Sequence, residues 1–318
     1  MAGPAVTVVL PTYRRPDGLA RALRSLAAQH DPGVEWELLV VDNDTAPSAE
    51  ATVHALASEI AAAVMVLREP APGAAHARNA GIDAAKGEVV AFIDDDVVAE
   101  PGWLAHLVRP LLDERADAAG GRVALDDSVA VPRWLGRDWL GYLSQYDRGP
   151  DERLLAADDY VLTANAAFRT DRLRALSGFD EALGPRAGSP MVNDDLDLCR
   201  RFVAAGGRIV YVPDAVVIHE LPPDRLTPGY LVRRSYAQGR SDWLLERDAN
   251  SRRPLGGAKG ILVHLRRLLG DRVREGPWHA DVAFGGALSI VHTSGFLREA
   301  AVHRVRALGR RSARSTRQ

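Results

Sequence analysis

Short apolar runs alternate with helical stretches through residues 5–111, and no other feature of the chain restricts its folding as strongly. Residues 5–10 are mostly β-branched and end at Pro11, which predicts a buried strand. Residues 36–41 predict a second strand running into Asp42-Asn43-Asp44, residues 64–67 a third, and residues 89–93 a fourth running into Asp94-Asp95-Asp96. Helical stretches fill the gaps. One is capped by Asp17 and carries Leu19, Leu23 and Leu26; two others span 49–62 and 74–85; another opens at Pro101 with Trp103, Leu104, Leu107, Val108 and Leu111. Apolar strands each followed by a helix imply a mainly parallel sheet covered on both faces. In such sheets the ligand lies outside the carboxyl ends of the strands. The segments 11–15, 42–44 and 94–96 are therefore predicted to meet on one edge.

Beyond that half the rhythm breaks. Trp134, Trp139, Tyr142 and Tyr146 stand among charges, Gly and Pro within 126–158, the signature of an insertion or rim. Strands are predicted at 160–168, 208–212 and 215–218, a helix at 194–205 with Asn193 as its cap, and a loop at 184–191. From residue 227 the pattern is helical, broken at 254–260 and 276–277, and the end of the Arg-rich stretch 298–318 is expected to fray. With 40 basic against 42 acidic side chains, a globally basic nucleic-acid binder is excluded. Cys199 is the single cysteine, so neither a disulfide framework nor a Cys-rich zinc site is available, which fits a reducing compartment. No run approaches the roughly 18 to 20 apolar residues of a membrane span, and no basic cluster precedes an apolar run near the N-terminus. The expectation is a soluble cytoplasmic protein.

Three acids in a row at a strand end repel one another and need a cation, an Arg or full solvation to stay ionised. The residues leave two readings of Asp94-Asp95-Asp96 open: a site for a hard divalent ion shared with substrate phosphates, or a solvated turn. Asp194, Asp195 and Asp197 occupy a helix's first turn, where the macrodipole favours negative charge; the same dipole would keep a carboxylate ready to accept a proton. Asp42 and Asn43 suit either a nucleobase edge or a turn. Arg78 suits a phosphate or a nearby carboxylate if it lies at the ligand edge, and is otherwise a surface residue. Tyr13 can stack on a base or pack at the strand end. His219 follows a strand and, taken alone, is more often structural than a ligand.

Taken in order, these residues resemble the family 2 glycosyltransferases, enzymes of the GT-A fold. The matching stretches are Val8-Val9-Leu10-Pro11-Thr12-Tyr13-Arg14-Arg15, Val40-Val41-Asp42-Asn43-Asp44, Ala77-Arg78-Asn79-Ala80-Gly81 and Phe92-Ile93-Asp94-Asp95-Asp96. Gly178-Phe179-Asp180-Glu181 and Asp194-Asp195-Leu196-Asp197-Leu198 follow, so that about residues 5–220 are covered. The resemblance implies an α/β, Rossmann-like, mostly parallel sheet flanked by helices, with a C-terminal helical extension. It implies a catalytic domain over 1–222, split into a nucleotide-binding half (1–125) and an acceptor-binding half (126–222), followed by 223–318 with its basic tail.

By position, the resemblance puts Pro11, Thr12, Tyr13, Arg15, Asn43 and Arg78 around the donor nucleotide, with Asp42 on the base and Asp95 near the sugar or ribose. Asp94 and Asp96 frame the Mg²⁺ or Mn²⁺ motif, Asp96 as the direct ligand, and His219 closes the metal or diphosphate site. Asp195 takes the place of the general base; Trp134, Trp139 and Asp194 fall on the acceptor side. The implied reaction is metal-dependent, inverting transfer of a sugar from a nucleotide sugar, UDP foremost, to a hydroxyl of a glycan, glycolipid or natural product. Two departures stand out. The family usually has Glu-Asp where this chain has Asp194-Asp195, and 237–241 does not supply the Gln-x-x-Arg-Trp pattern of processive synthases, which favours single-sugar transfer.

Two alternatives remain open from sequence. A sugar nucleotidyltransferase would need a Gly-rich triphosphate loop after the first strand, which 11–17 is not; a catalytically silent nucleotide-sugar binder would keep the pocket without turnover. In the C-terminal segment, Leu231, Tyr236, Trp243, Leu244 and Leu245 suggest a helix against the catalytic domain. Ile261, Leu262, Leu265, Leu268 and Leu269 form an apolar stripe beside Arg266, Arg267 and Arg272. A helical cap or homodimer contact is the favoured reading there, with peripheral contact at the inner membrane face as the other.

Overall fold

The computed structural model describes residues 3–157, 159–185, 191–249 and 280–315. The chain divides into two compact units, one of Met1–Val129, Ser144–Ser189 and Asp194–Leu221, the other of Ala130–Leu143, Pro190–Asn193 and Pro222–Gln318.

The first unit is built on a sheet whose strands are β1 (Val6–Thr12), β2 (Trp36–Asp42), β3 (Ala63–Arg68), β4 (Val89–Ile93), β5 (Val97–Ala99), β6 (Ala118–Leu125), β7 (Arg153–Leu154), β8 (Asn165–Arg169) and β9 (Ile209–His219). Their order is β3-β2-β1-β4-β8-β6-β9-β5, with β7 beside β9. The strands β3, β2, β1 and β4 run parallel, as the alternating pattern requires. β8 is antiparallel to both β4 and β6, and β9 runs parallel to β6. Helices α1 (Pro16–Ala27), α2 (Glu50–Leu56), α3 (Ala74–Ala84), α4 (Trp103–Leu112), α5 (Thr170–Ala175) and α6 (Asp194–Ala204) belong to this unit. One core gathers Val8, Leu10, Leu19, Leu23, Leu38, Val40, Trp103 and Leu107; another gathers Val9, Val90, Phe92, Phe168, Leu198 and Phe202. Alternate residues of β1 thus feed opposite faces of the sheet, and β1, β2 and β4 are buried on both.

Several sequence expectations are corrected. Asp17 does not cap α1: Arg15 is the N-cap, Pro16 is the first helical residue, and Asp17 lies in the first turn without a capping bond. The helix expected over 49–62 is only α2 plus a 3₁₀ turn, Ala57–Glu59. β6 and α5 carry no clear signal in the sequence, and β8 starts at Asn165 rather than at 160. The two strands expected at 208–212 and 215–218 are one, β9, continuous through Pro213-Asp214.

That continuity has a price in the ladder, which jumps from Gly121 opposite Val212 to Arg122 opposite Val216. Buried Asn165 repairs the gap, donating to the carbonyls of Arg122 (2.9 Å) and Ala215 (2.8 Å) and accepting from the Trp103 indole (2.8 Å). A Cβ on Gly121 would lie 2.0 Å from the Ala215 oxygen, so only glycine lets β9 pass.

Gly18 controls a second close approach, because a Cβ there would sit 2.5 Å from the backbone oxygen of Asp95. Helix propensity alone favours Gly→Ala by about 1 kcal/mol, but this clash reverses the sign. Gly18→Ala is expected to destabilise by about 1–3 kcal/mol in urea unfolding; a stabilised variant would reject the close packing of α1 on the acidic segment.

In the second unit, α7 (Pro228–Ala249) and α8 (Ala280–Ser315) pair. The Ser235 hydroxyl donates to the Leu288 carbonyl, Asp242 meets His292 at 2.8 Å, and Arg240 donates to Glu299 at 2.8 Å. Residues 192–193 are tied to α7. The Val192 amide donates to Ser241, the Asn193 amide donates to Asp242, and Gln238 donates to Asn193. Asn193 has φ 79° and uses its side chain in these bonds, not in the helix cap expected of it. The Arg-rich stretch continues as α8 to Ser315, and its extreme end, where fraying is expected, lies outside the described residues. The breaks at 254–260 and 276–277 and the apolar stripe of 261–269 lie outside the described residues. Among the described residues, no helix is long and apolar enough to cross a membrane.

Candidate active site

Since β1, β2 and β4 are parallel, their carboxyl ends bring Thr12, Asp42 and the segment after Ile93 to one edge. The strand order turns back between β1 and β4, and at such a switch point a crevice opens. A hydrogen bond spans it: the Thr12 hydroxyl donates to Asp95 at 2.7 Å. One Arg15 nitrogen, Nη1, lies 3.0 Å from both Asp95 Oδ1 and Asp96 Oδ2. β5 then pairs antiparallel with the end of β9, Val97 opposite His219. That pairing brings His219 Nε2 to 3.6 Å from Asp96 Oδ2, and the Glu220 amide donates to the Asp96 carbonyl. Pro11 is buried within β1, whereas Tyr13 is 39% exposed beyond it, with the Arg14 guanidinium 5.1 Å from its ring centroid.

Arg78 joins the acidic triplet to the second acidic group. Its side chain is 6% exposed, donates to Asp194 at 2.8 Å and to Asp94 at 2.9 Å, and lies 5.6 Å from the Phe179 ring centroid. Two carboxylates separated by 100 residues of chain thus share one buried guanidinium, whose fork suits two acceptors at once. Its Nε is buried without a hydrogen-bond partner among the described residues.

Asp195, the next residue along α6, accepts a 2.5 Å hydrogen bond from the Thr163 hydroxyl. Thr163 lies just before β8, whose first residue Asn165 stands opposite Ile93 at the same edge. Burial, then repulsion from Asp194, pushes the Asp195 carboxyl up to about 7, against the pull of Arg78 and Thr163. Burial also raises Asp194, opposed first by Arg78 and then by backbone amides. Arg78 touches Asp194 directly and favours its charged form, and the two adjacent carboxylates titrate as a pair. Burial raises Asp95 to about 6, opposed by Thr12 and Arg15.

Other expected site residues have their polar groups engaged. The Asp42 oxygens accept bonds from the Asp44, Ser48 and Ala49 amides and from the Ser48 hydroxyl. Asn43 bridges to the carbonyls of Glu69 and Ala71 and to the Gly73 amide. Both shape the wall beyond β2. In the second unit Trp134 packs edge-on against Phe284, and Trp139 against Tyr142. Thr163 and Asn165 carried no motif; only the sheet order reveals them.

The expected ion-binding trio divides. Asp96 and His219 converge, whereas Asp94 turns to Arg78. Among the described residues no three His, Cys, Asp or Glu side chains are grouped closely enough to hold an ion by themselves. A carboxylate with an imidazole nevertheless suits Mg²⁺ or Mn²⁺ where phosphate oxygens and water complete the shell.

The profile of the family described as Glycosyl transferase family 2 matches residues 7–173. The succinoglycan biosynthesis protein ExoM of Rhizobium meliloti (strain 1021) is 32% identical over 233 residues, covering 72% of this chain and 71% of its own. The pre-mycofactocin glycosyltransferase of Mycobacterium tuberculosis is 29% identical, covering 81% of this chain; the chain spans only 51% of that relative's length. Among solved structures, the mannosyltransferase PcManGT from Pyrobaculum calidifontis, in complex with GDP-Man and Mn²⁺, aligns with a TM-score of 0.54 at 21% identity, covering 96% of this chain and 75% of its own. S. aureus TarS residues 1–349, in complex with UDP, aligns with a TM-score of 0.51 at 16% identity, covering 91% of each chain. These likenesses show the GT-A fold.

Proposed function

The chain belongs to glycosyl transferase family 2 and is a glycosyltransferase, and from that premise we propose that it moves a single sugar from a nucleotide diphosphate donor, UDP foremost, to an acceptor hydroxyl, inverting the anomeric carbon with Asp195 as base. Arg78 carries this reading. By pairing with both Asp94 and Asp194 it makes the acidic strand end and the start of α6 parts of one site.

The diphosphate fits the β1–β4 crevice, where Thr12 and Arg15 lie beside Asp95 and Asp96. Asp42 and Asn43 shape the wall on the base side, and exposed Tyr13 offers a ring face for stacking. Asp96 and His219 would hold the divalent ion, whose charge offsets the negative charge developing on the leaving diphosphate. The ionised Asp195 carboxylate accepts the proton of the acceptor hydroxyl. That oxygen forms the new bond to the anomeric carbon as the bond to the diphosphate oxygen breaks on the opposite face. A carboxylate with a pKa near 7 is matched to that task at neutral pH. Single-sugar transfer is supported by the lack of a processive motif at 237–241.

The donor is identified by thermal shift with a panel of nucleotide sugars and Mn²⁺, followed by turnover with the best. Asp96→Ala is expected to abolish the dependence of turnover on Mn²⁺. A variant that keeps the wild-type Mn²⁺ response would remove Asp96 from the metal role.

A further inference from the structure

The two cations of the site are built differently. Arg78 is 6% exposed and fixed between Asp94 and Asp194, whereas the Arg15 side chain is 38% exposed and meets both its carboxylates through one nitrogen. Asp95 and Asp96, adjacent in sequence, have side chains only 8% and 12% exposed. Two such carboxylates need a counter-ion before they can be ionised together. The Asp96 oxygen that accepts from Arg15, Oδ2, is also the one facing His219 at 3.6 Å. Asp95 would keep its Thr12 bond if Arg15 left.

We propose that Arg15 is a displaceable counter-ion: it occupies Asp95 and Asp96 in the metal-free enzyme, and a divalent cation must expel it from Asp96 to bind. This rests on the assignment of Asp96 and His219 to the metal under the proposed function. A guanidinium and a divalent ion cannot share one carboxylate oxygen without repulsion, and of the two arginines only Arg15 has an open route to solvent. Displacement releases the guanidinium beside the diphosphate, where a bidentate donor is useful. Arg15 is thus a positioning residue that sets how readily the metal enters.

The test is Mn²⁺ binding to the chelator-stripped full chain without nucleotide, followed by the electron paramagnetic resonance of free Mn²⁺. Arg15→Gln is expected to bind Mn²⁺ about tenfold more tightly, the scale of one lost charge-assisted hydrogen bond. Arg21→Gln removes a cation paired with Glu220, next to His219. It is expected to change the affinity by less than about twofold, because exposed pairs couple weakly. Unchanged or weaker binding by Arg15→Gln would overturn the proposal, as would equal tightening in both variants, which would mark a general field. Thermal unfolding supplies a second readout. Arg15→Gln should melt below wild type without metal, and saturating Mn²⁺ should close the gap; a gap that persists would leave Arg15 a structural pair only and reject displacement. Asp96→Ala should not bind Mn²⁺. Wild-type binding by that variant would reject the metal assignment itself, separately from the comparison of Arg15 with Arg21.

Discussion

Asp195→Asn is expected to lower kcat by about 10²–10⁴-fold, the usual contribution of a general base, with donor affinity nearly unchanged. Asn is close to Asp in shape and can still pair with the Thr163 hydroxyl, so the variant should fold and bind the nucleotide sugar. What it lacks is an oxygen basic enough to take the acceptor proton. The wild-type pH profile supplies a second check. With the carboxyl pushed up to about 7 by burial and by Asp194, the base is protonated in acid. The logarithm of kcat/KM should therefore rise with unit slope below about pH 7 and level off above it. Thr163→Val removes a bond that favours the charged form, so its acidic limb should move to higher pH. Comparable turnover in Asp195→Asn and wild type would remove Asp195 from the role of base. A limb unmoved by Thr163→Val would assign the titration to another group.

The parts of the fold visible in the sequence are those where local preference and global position agree. β1, β2 and β4 are apolar, rich in β-branched residues and buried on both faces, so their strand character is plain from composition alone. β6 begins Ala-Ala-Gly-Gly, a poor strand by propensity. It sits in the middle of the sheet because only small residues fit there: a Cβ on Gly120 would fall 2.1 Å from Val161, and one on Gly121 2.0 Å from the Ala215 carbonyl. Tertiary space overrides local preference at this position. β9 misleads in the opposite way, since Pro213-Asp214 reads as a break. The structure absorbs those residues as an irregularity in the ladder, with Asn165 supplying the missing partners. No single-sequence signal carries that repair, because it depends on three elements arriving together.

The site divides along the same line. That the acids at 94–96 lie on the edge reached by Thr12 follows from the parallel βα pattern. Which acid meets which cation does not, because that is decided by register. Val97 opposite His219 gives Asp96 to the imidazole, and Asp94, two residues earlier, is left to Arg78 on α3. The sequence can suggest a triplet but not its division. The engagement of Asp42 with the residues before α2 was equally invisible, since a strand-end Asp can face a ligand or close its own loop.

Arg78→Met should strongly destabilise the first unit. Met keeps much of the volume and removes the charge, leaving Asp194, whose side chain is 6% exposed, without its ion partner. Breaking a buried pair from one side costs about 3–5 kcal/mol. Asp94 contributes less to the loss, because its side chain is 26% exposed and water can replace part of what Arg78 supplied. The sign of the pH dependence separates this mechanism from simple misfit. Without the guanidinium, the folded-state pKa of Asp194 moves further above its unfolded value, so the native variant binds more protons than the unfolded chain through mildly acidic pH. Its stability must then fall as pH rises through that window, and the deficit relative to wild type should be smaller at pH 5 than at pH 8. Arg78→Lys keeps a charge but has a single ammonium in place of a fork, so it should recover only part of the loss. Urea unfolding of both variants at the two pH values measures all of this. A deficit below about 1 kcal/mol, the usual range for exposed pairs, would show that Arg78 does not bind the two acidic segments into one site, and a deficit independent of pH would assign the damage to packing.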